Sequence, residues 1–106
     1  GGEVIARMPR HSVLVNLGRG ALVDEPALIT ALERGAIAGA GLDVFVEEPL
    51  PPENPLWKLP QVIATPHVSG FGPRFWERTL DMFADHLRAR LDGAPLTNVV
   101  DKREGY

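Results

Sequence analysis

A chain of 106 residues with 44% hydrophobic and 24% charged side chains has the make-up of one ordinary globular domain. Its net charge of -3, with acids and bases interspersed, offers no basic patch to nucleic acid, and no apolar run reaches membrane-spanning length. The lack of cysteine excludes disulfides and thiolate metal sites, and the three histidines share no metal-ligand spacing, so the expectation is a metal-free cytoplasmic protein without a secretory signal.

In chain order, Glu3 to Met8 reads as the end of a helix stopped by Pro9. Ser12 to Leu17 is a nearly continuous apolar run, which suits a strand buried on both faces. Gly18-Arg19-Gly20 turns the chain. Asp24 can cap the next helix, with Pro26 in its first turn, and Ala27, Leu28, Ala31 and Leu32 form its apolar stripe. Gly35 suits the left-handed end of that helix. Ala38 to Val44 reads as a second buried strand, in which Gly39 and Gly41 point to close backbone approach. A proline-dense loop follows from Glu47 to Pro60, and Leu56 and Trp57 within it argue for packing against the body. Gln61 to Thr65 is a third strand, stopped by Pro66.

Gly70 and Gly72 make a flexible joint. A long amphipathic helix then runs from about Pro73 to Leu91, with Trp76, Leu80, Phe83, Leu87 and Leu91 on one stripe. Trp57, Trp76 and Phe83 are read as packing residues, and His11 and His86 as solvent-facing. Strands alternating with helical crossovers give an α/β fold with a parallel sheet. Three strands make a thin sheet, so the expectation is half of a doubly wound, Rossmann-like domain followed by a long C-terminal helix.

Open α/β sheets bind ligands at the carboxyl ends of their strands. Arg19 follows the first strand, Asp43 ends the second, Glu47 and Glu48 follow it, and His67 follows the third. A guanidinium, a carboxylate and an imidazole are therefore expected to converge at one edge. Gly18-Arg19-Gly20-Ala21-Leu22-Val23 also has the look of a dinucleotide fingerprint. Val23 stands where the third glycine would be, however, which blocks close helix–strand packing, and the pyrophosphate reading is rejected.

The segments Asn16 to Glu25, Gly39 to Pro51, Pro55-Leu56-Trp57 and Thr65-Pro66-His67-Val68-Ser69-Gly70 resemble, in order and spacing, the D-isomer-specific 2-hydroxyacid dehydrogenase family. The ending, Val100 to Tyr106, resembles its glyoxylate/hydroxypyruvate reductase branch. The resemblance implies an NAD- or NADP-dependent oxidoreductase acting on a small 2-oxo acid and its D-2-hydroxy acid. Arg19 would bind the substrate carboxylate through its planar fork of donors. His67 would exchange the proton with the substrate oxygen. Glu48, the glutamate directly before the proline, would orient the imidazole, with adjacent Glu47 as the rival. Leu17, Gly18, Arg19, Asp43, His67, Ser69 and Gly70 would border the cofactor, Asp43 at its nicotinamide end; a turn role is the alternative for Asp43.

The family's glycine-rich pyrophosphate loop and most of its substrate domain have no counterpart in these residues. Residues 1–70 are accordingly expected to be the C-terminal half of the cofactor domain, and residues 71–106 a helix and tail returning to the substrate domain. A fragment inactive by itself, and a homodimer covering the apolar stripe, are the corresponding expectations. The competing reading is a non-catalytic, dinucleotide-sensing corepressor-like module of the same family.

Overall fold

The computed structural model describes residues 1–103; Glu104, Gly105 and Tyr106, which carry part of the branch resemblance, lie outside the described residues. The chain divides into a compact unit of Gly1–Gly70 and a second that begins at Phe71.

In the first unit, helix α1 (Gly2–Ala6) leads to strand β1 (Val13–Asn16), helix α2 (Glu25–Glu33), strand β2 (Gly39–Leu42) and strand β3 (Val62–Ala64). The strands are parallel in the order β1-β2-β3, with Asn16 beside Leu42 and Leu42 beside Ala64. Helix α2 starts where the sequence places it. Oδ1 of Asp24 accepts from the N–H of Ala27 at 3.1 Å, and Oδ2 accepts from Gly2 at 3.3 Å, so one carboxylate ties the starts of both helices together. The helix ends before Gly35, whose φ of 61° is left-handed.

The core lies on one side of the sheet. Leu28, Leu32, Ile37, Ala40, Leu42 and Leu56 are fully enclosed there with Ile5 and Phe45. Each large aliphatic side chain so buried contributes about 1.5–3 kcal/mol. The opposite side is bare: Val13 and Val15 of β1 and Ile63 of β3 are exposed. The expectation that β1 is buried on both faces is therefore not met, and Gly41 of β2, on the same side as Val15, is only half-buried. Alternation sends every second side chain to the uncovered face, and no described element of this unit lies over it.

The two strand glycines also differ. A Cβ on Gly39 would stand 2.6 Å from the carbonyl oxygen of Gln61, a true close approach, whereas one on Gly41 would meet only the Val15 side chain at 3.8 Å. The 47–60 loop contains a 3-10 turn, Pro55–Lys58, capped by Asn54. Leu56 is buried as expected, but Trp57 is 55% exposed, its Nε1 donating to the carbonyl of Pro51.

In the second unit, helix α3 spans Phe75–Leu91, starting later than the sequence indicates. Phe71, Phe75 and Trp76 meet in succession with ring centroids 4.9 and 5.1 Å apart, the first pair tilted and the second edge-to-face, and the following chain returns to the helix through His86 with Thr97 and Asn98 with Met82. Trp76, Leu80, Phe83, Leu87 and Leu91 are all exposed, so the apolar stripe on which Trp76 and Phe83 are read as packing residues has no cover among the described residues. The 3.6-residue period fixes which side chains share a stripe, not whether anything covers it.

Candidate active site

The carboxyl end of β1 holds Arg19 through Asn16. That buried side chain donates from Nδ2 to the carbonyl of Arg19 at 2.9 Å and accepts from the N–H of Gly18 at 3.2 Å, closing the turn around itself. Gly20 presses the turn against the end of β2. A Cβ there would lie 1.9 Å from the carbonyl oxygen of Phe45, so no other residue fits without moving the backbone. The guanidinium is exposed. Its Nη1 donates to the carbonyl of Gly18 at 2.9 Å and lies 3.5 Å from Nε2 of His67.

His67 follows β3 in a left-handed backbone conformation, φ 53°, which costs an L-residue free energy unless its surroundings enforce it. Asp43 enforces it. This carboxylate is 1% exposed, and Oδ1 accepts from the Thr65 hydroxyl and from the N–H of Val68 at 3.0 Å, while Oδ2 accepts from the N–H of Ser69 at 2.8 Å. The Thr65 hydrogen bond first, and then those of Val68 and Ser69, hold the Asp43 carboxyl well below the usual carboxylate range against the opposing effect of burial. Asp43 was expected at the nicotinamide end of a cofactor. Within the chain its enclosed carboxylate anchors the turn that carries His67.

Glu48, not Glu47, meets the imidazole. Its Oε2 lies 2.7 Å from Nδ1 of His67, and its Oε1 accepts from the N–H of Phe45 at 2.9 Å. The hydrogen bond from His67 first, then that from Phe45, lowers the Glu48 carboxyl below its ordinary value. With Nδ1 facing a carboxylate, Nδ1 is the donor, and Nε2 is turned toward Arg19.

The three strand ends thus place Arg19, His67 and Glu48 in one continuous line, as the parallel topology requires. An apolar concavity of this unit is offset from that line. It has a volume of about 540 Å³ and a mostly apolar wall that includes Phe45, Leu50, Trp57, Pro66, Glu48 and His67, but not Arg19. Leu17, Gly18, Ser69 and Gly70 are exposed at the same edge, and a Cβ on Gly70 would meet nothing within 4 Å.

Three supporting residues were not singled out from the sequence. Asn16 and Thr65 are the last or next-to-last polar residues of their strand runs, which is the signal that could have marked them. Glu25 follows the capping Asp24, and its two hydrogen bonds to the loop of Glu48 leave no sequence trace. No group of three or more carboxylates and imidazoles able to hold a metal occurs among the described residues. No helix among them is long and apolar enough to cross a membrane.

The family model described as D-isomer specific 2-hydroxyacid dehydrogenase, NAD binding domain, matches residues 1–69. Glyoxylate/hydroxypyruvate reductase B of Pectobacterium carotovorum is 49% identical over 104 residues, covering 95% of this chain and 32% of that protein. A glyoxylate reductase of Korarchaeum cryptofilum is 44% identical over 102 residues, covering 96% and 31%. The chain spans about a third of the length of these relatives. Among solved structures, a D-isomer specific 2-hydroxyacid dehydrogenase from Xanthobacter autotrophicus in complex with NADPH and MES superposes with a TM-score of 0.89 at 40% identity, over 100% of this chain and 43% of that one. An NADPH-dependent glyoxylate/hydroxypyruvate reductase from Sinorhizobium meliloti in complex with NADP and sulfate gives 0.89 at 33% identity, over 100% and 34%. The Rossmann-like parallel sheet expected from the sequence is the architecture observed.

Proposed function

The chain belongs to the D-isomer specific 2-hydroxyacid dehydrogenase family, and from that premise we propose that it is the part of an NAD(P)-dependent oxidoreductase that binds and protonates a small 2-oxo acid of the glyoxylate or hydroxypyruvate type. The observation that carries this reading is the line of Arg19, His67 and Glu48, with Nε2 of the imidazole facing the guanidinium at 3.5 Å.

Arg19 keeps donors that no described residue takes up, and a 2-oxo acid carboxylate matches their planar fork. A substrate held there puts its carbonyl oxygen beside Nε2 of His67. A nicotinamide cofactor, when bound, would supply the hydride that the carbonyl carbon takes up. The electron pair of the C=O bond moves to oxygen, and protonated His67 delivers the balancing proton from Nε2, leaving a C–H and an O–H. In the reverse direction neutral Nε2 accepts that proton. Glu48 keeps Nδ1 as the donor throughout and favours the charged ring that reduction consumes.

Leu17, Gly18, Arg19, His67, Ser69 and Gly70 form the border that a nicotinamide would approach. Its fit is supported by their exposure at the carboxyl edge and by the open space beside Gly70. The family's pyrophosphate loop has no counterpart among these residues, so the 106-residue chain alone is proposed to turn over no substrate. The working protein is proposed to be a cytoplasmic homodimer.

The test is a graft. Residues 1–106 replace the matching segment of a glyoxylate/hydroxypyruvate reductase relative, and glyoxylate reduction is followed by NADPH absorbance. The graft is expected to be active, and the isolated chain silent. A folded, NADPH-binding graft without reductase activity refutes the assignment.

A further inference from the structure

The carboxylate of Glu25, at the start of α2, accepts two hydrogen bonds from the loop that carries Glu48. One comes from the N–H of Val46 at 3.1 Å, the other from Nδ2 of Asn54 at 3.0 Å. These donors flank Glu48 in the chain, so Glu25 closes the 46–54 segment into a ring with Glu48 on it. The amide of Asn54 is not free to turn over, because its Oδ1 caps the 3-10 turn by accepting from the N–H of Leu56 at 3.0 Å. Glu25 therefore meets two donors at once, and only a side chain with two acceptor atoms satisfies both. The same stretch of backbone, Phe45–Val46, is the one against which Gly20 presses the Arg19 turn.

We propose that Glu25, acting with Asn54, is a positioning residue that fixes the loop of Glu48 so that its carboxylate meets Nδ1 of His67. The consequence for proton transfer rests on the dehydrogenase reading of His67, but the mechanical coupling does not. The groups that face the imidazole are Glu48 at Nδ1 and Arg19 at Nε2. Glu25 reaches it only through the loop. Glu25→Gln keeps size and shape while presenting an N–H where Asn54 already presents one. Asn54→Ser keeps a cap for the 3-10 turn and removes the donor to Glu25. Combining Glu25→Gln with Asn54→Asp reverses the polarity of the bridge and rebuilds it, with the new carboxylate able both to cap Leu56 and to accept from the glutamine.

The test reads the hydrogen bond at Nδ1 of His67 from the NMR resonance of that ring nitrogen, at one fixed pH, in the 106-residue chain, which needs no turnover. Glu25→Gln and Asn54→Ser should each move the Nδ1 resonance away from its parent position as Glu48 leaves Nδ1. The Glu25→Gln, Asn54→Asp pair should restore it. In a Glu48→Gln background Glu25→Gln should change nothing further. If one single variant fails to fold, the other decides. An unmoved Nδ1 resonance in a folded single variant overturns the proposal, as does an equal change in the Glu48→Gln background. A coupling that appears here beside an inactive graft would refute the reductase reading alone, and the opposite result the positioning role alone.

Discussion

Glu48 and His67 stand 19 residues apart in the chain, and their side chains meet at 2.7 Å. Neither reaches the other by local geometry. Glu48 is held by the N–H of Phe45 beyond β2, and His67 by the Asp43 anchor beyond β3, so the contact records the register of two strands.

If that contact orients a proton donor, its removal is kinetic. In the grafted reductase, His67→Ala is expected to lower kcat by about 10²–10⁴-fold, the usual contribution of a placed acid or base. Glu48→Gln should lower kcat less, by about 10-fold, since the glutamine still bonds the ring but carries no charge. Arg19→Lys should act chiefly on KM, because an ammonium cannot make the paired bonds of a guanidinium. Steady-state kinetics across pH separate the three, and an unchanged kcat in His67→Ala contradicts the assigned roles.

Stability should depend on acid in a defined direction. Asp43 and Glu48 are both held below their ordinary values in the folded chain, so it binds fewer protons there than the unfolded one. Their contribution is present above the ordinary carboxylate value of about 4 and is lost as the pH falls from there through the lowered folded-state values. Thermal melts from about pH 7 to about pH 3 should show the melting temperature falling steeply at the acid end. Asp43→Asn should melt lower at neutral pH and fall less on acidification. An equally steep fall in that variant would mean that other carboxylates govern it.

The strand and turn glycines should respond oppositely to a methyl group. Gly20→Ala drives a Cβ to 1.9 Å from the Phe45 carbonyl oxygen, where only backbone movement relieves it, and should cost about 1–3 kcal/mol. Gly41→Ala meets Val15 at an ordinary 3.8 Å and should be neutral or stabilise by up to about 1 kcal/mol. Denaturant titrations give both values, and a Gly20→Ala variant as stable as the parent would place the Arg19 turn wrongly.

The exposed stripe of α3 should drive association. Trp76, Leu80, Phe83 and Leu91 form a continuous apolar surface of the kind that folded chains cover with a partner. The 106-residue chain is expected to self-associate in light scattering. The Leu80→Glu, Phe83→Glu pair should shift it to monomer while circular dichroism retains the helix. A monomeric parent chain would overturn this.

The sequence by itself determined the element types and their order, because periodicity, the Asp24 cap and the Gly35 terminus are local signals. It also placed Arg19, Glu48 and His67 at strand ends, and parallel pairing brings such ends to one edge. What surrounds those side chains was decided only by tertiary structure. The sequence could not show that Asp43 is committed to the Thr65–Ser69 turn, that one sheet face is bare, or that Glu25 reaches across to Val46 and Asn54. Hydrogen-bond partners more than 20 residues apart depend on how the loops come to rest over the sheet. A one-dimensional pattern reports a residue's chemistry and its phase along its own element, not the distance to a neighbour on another.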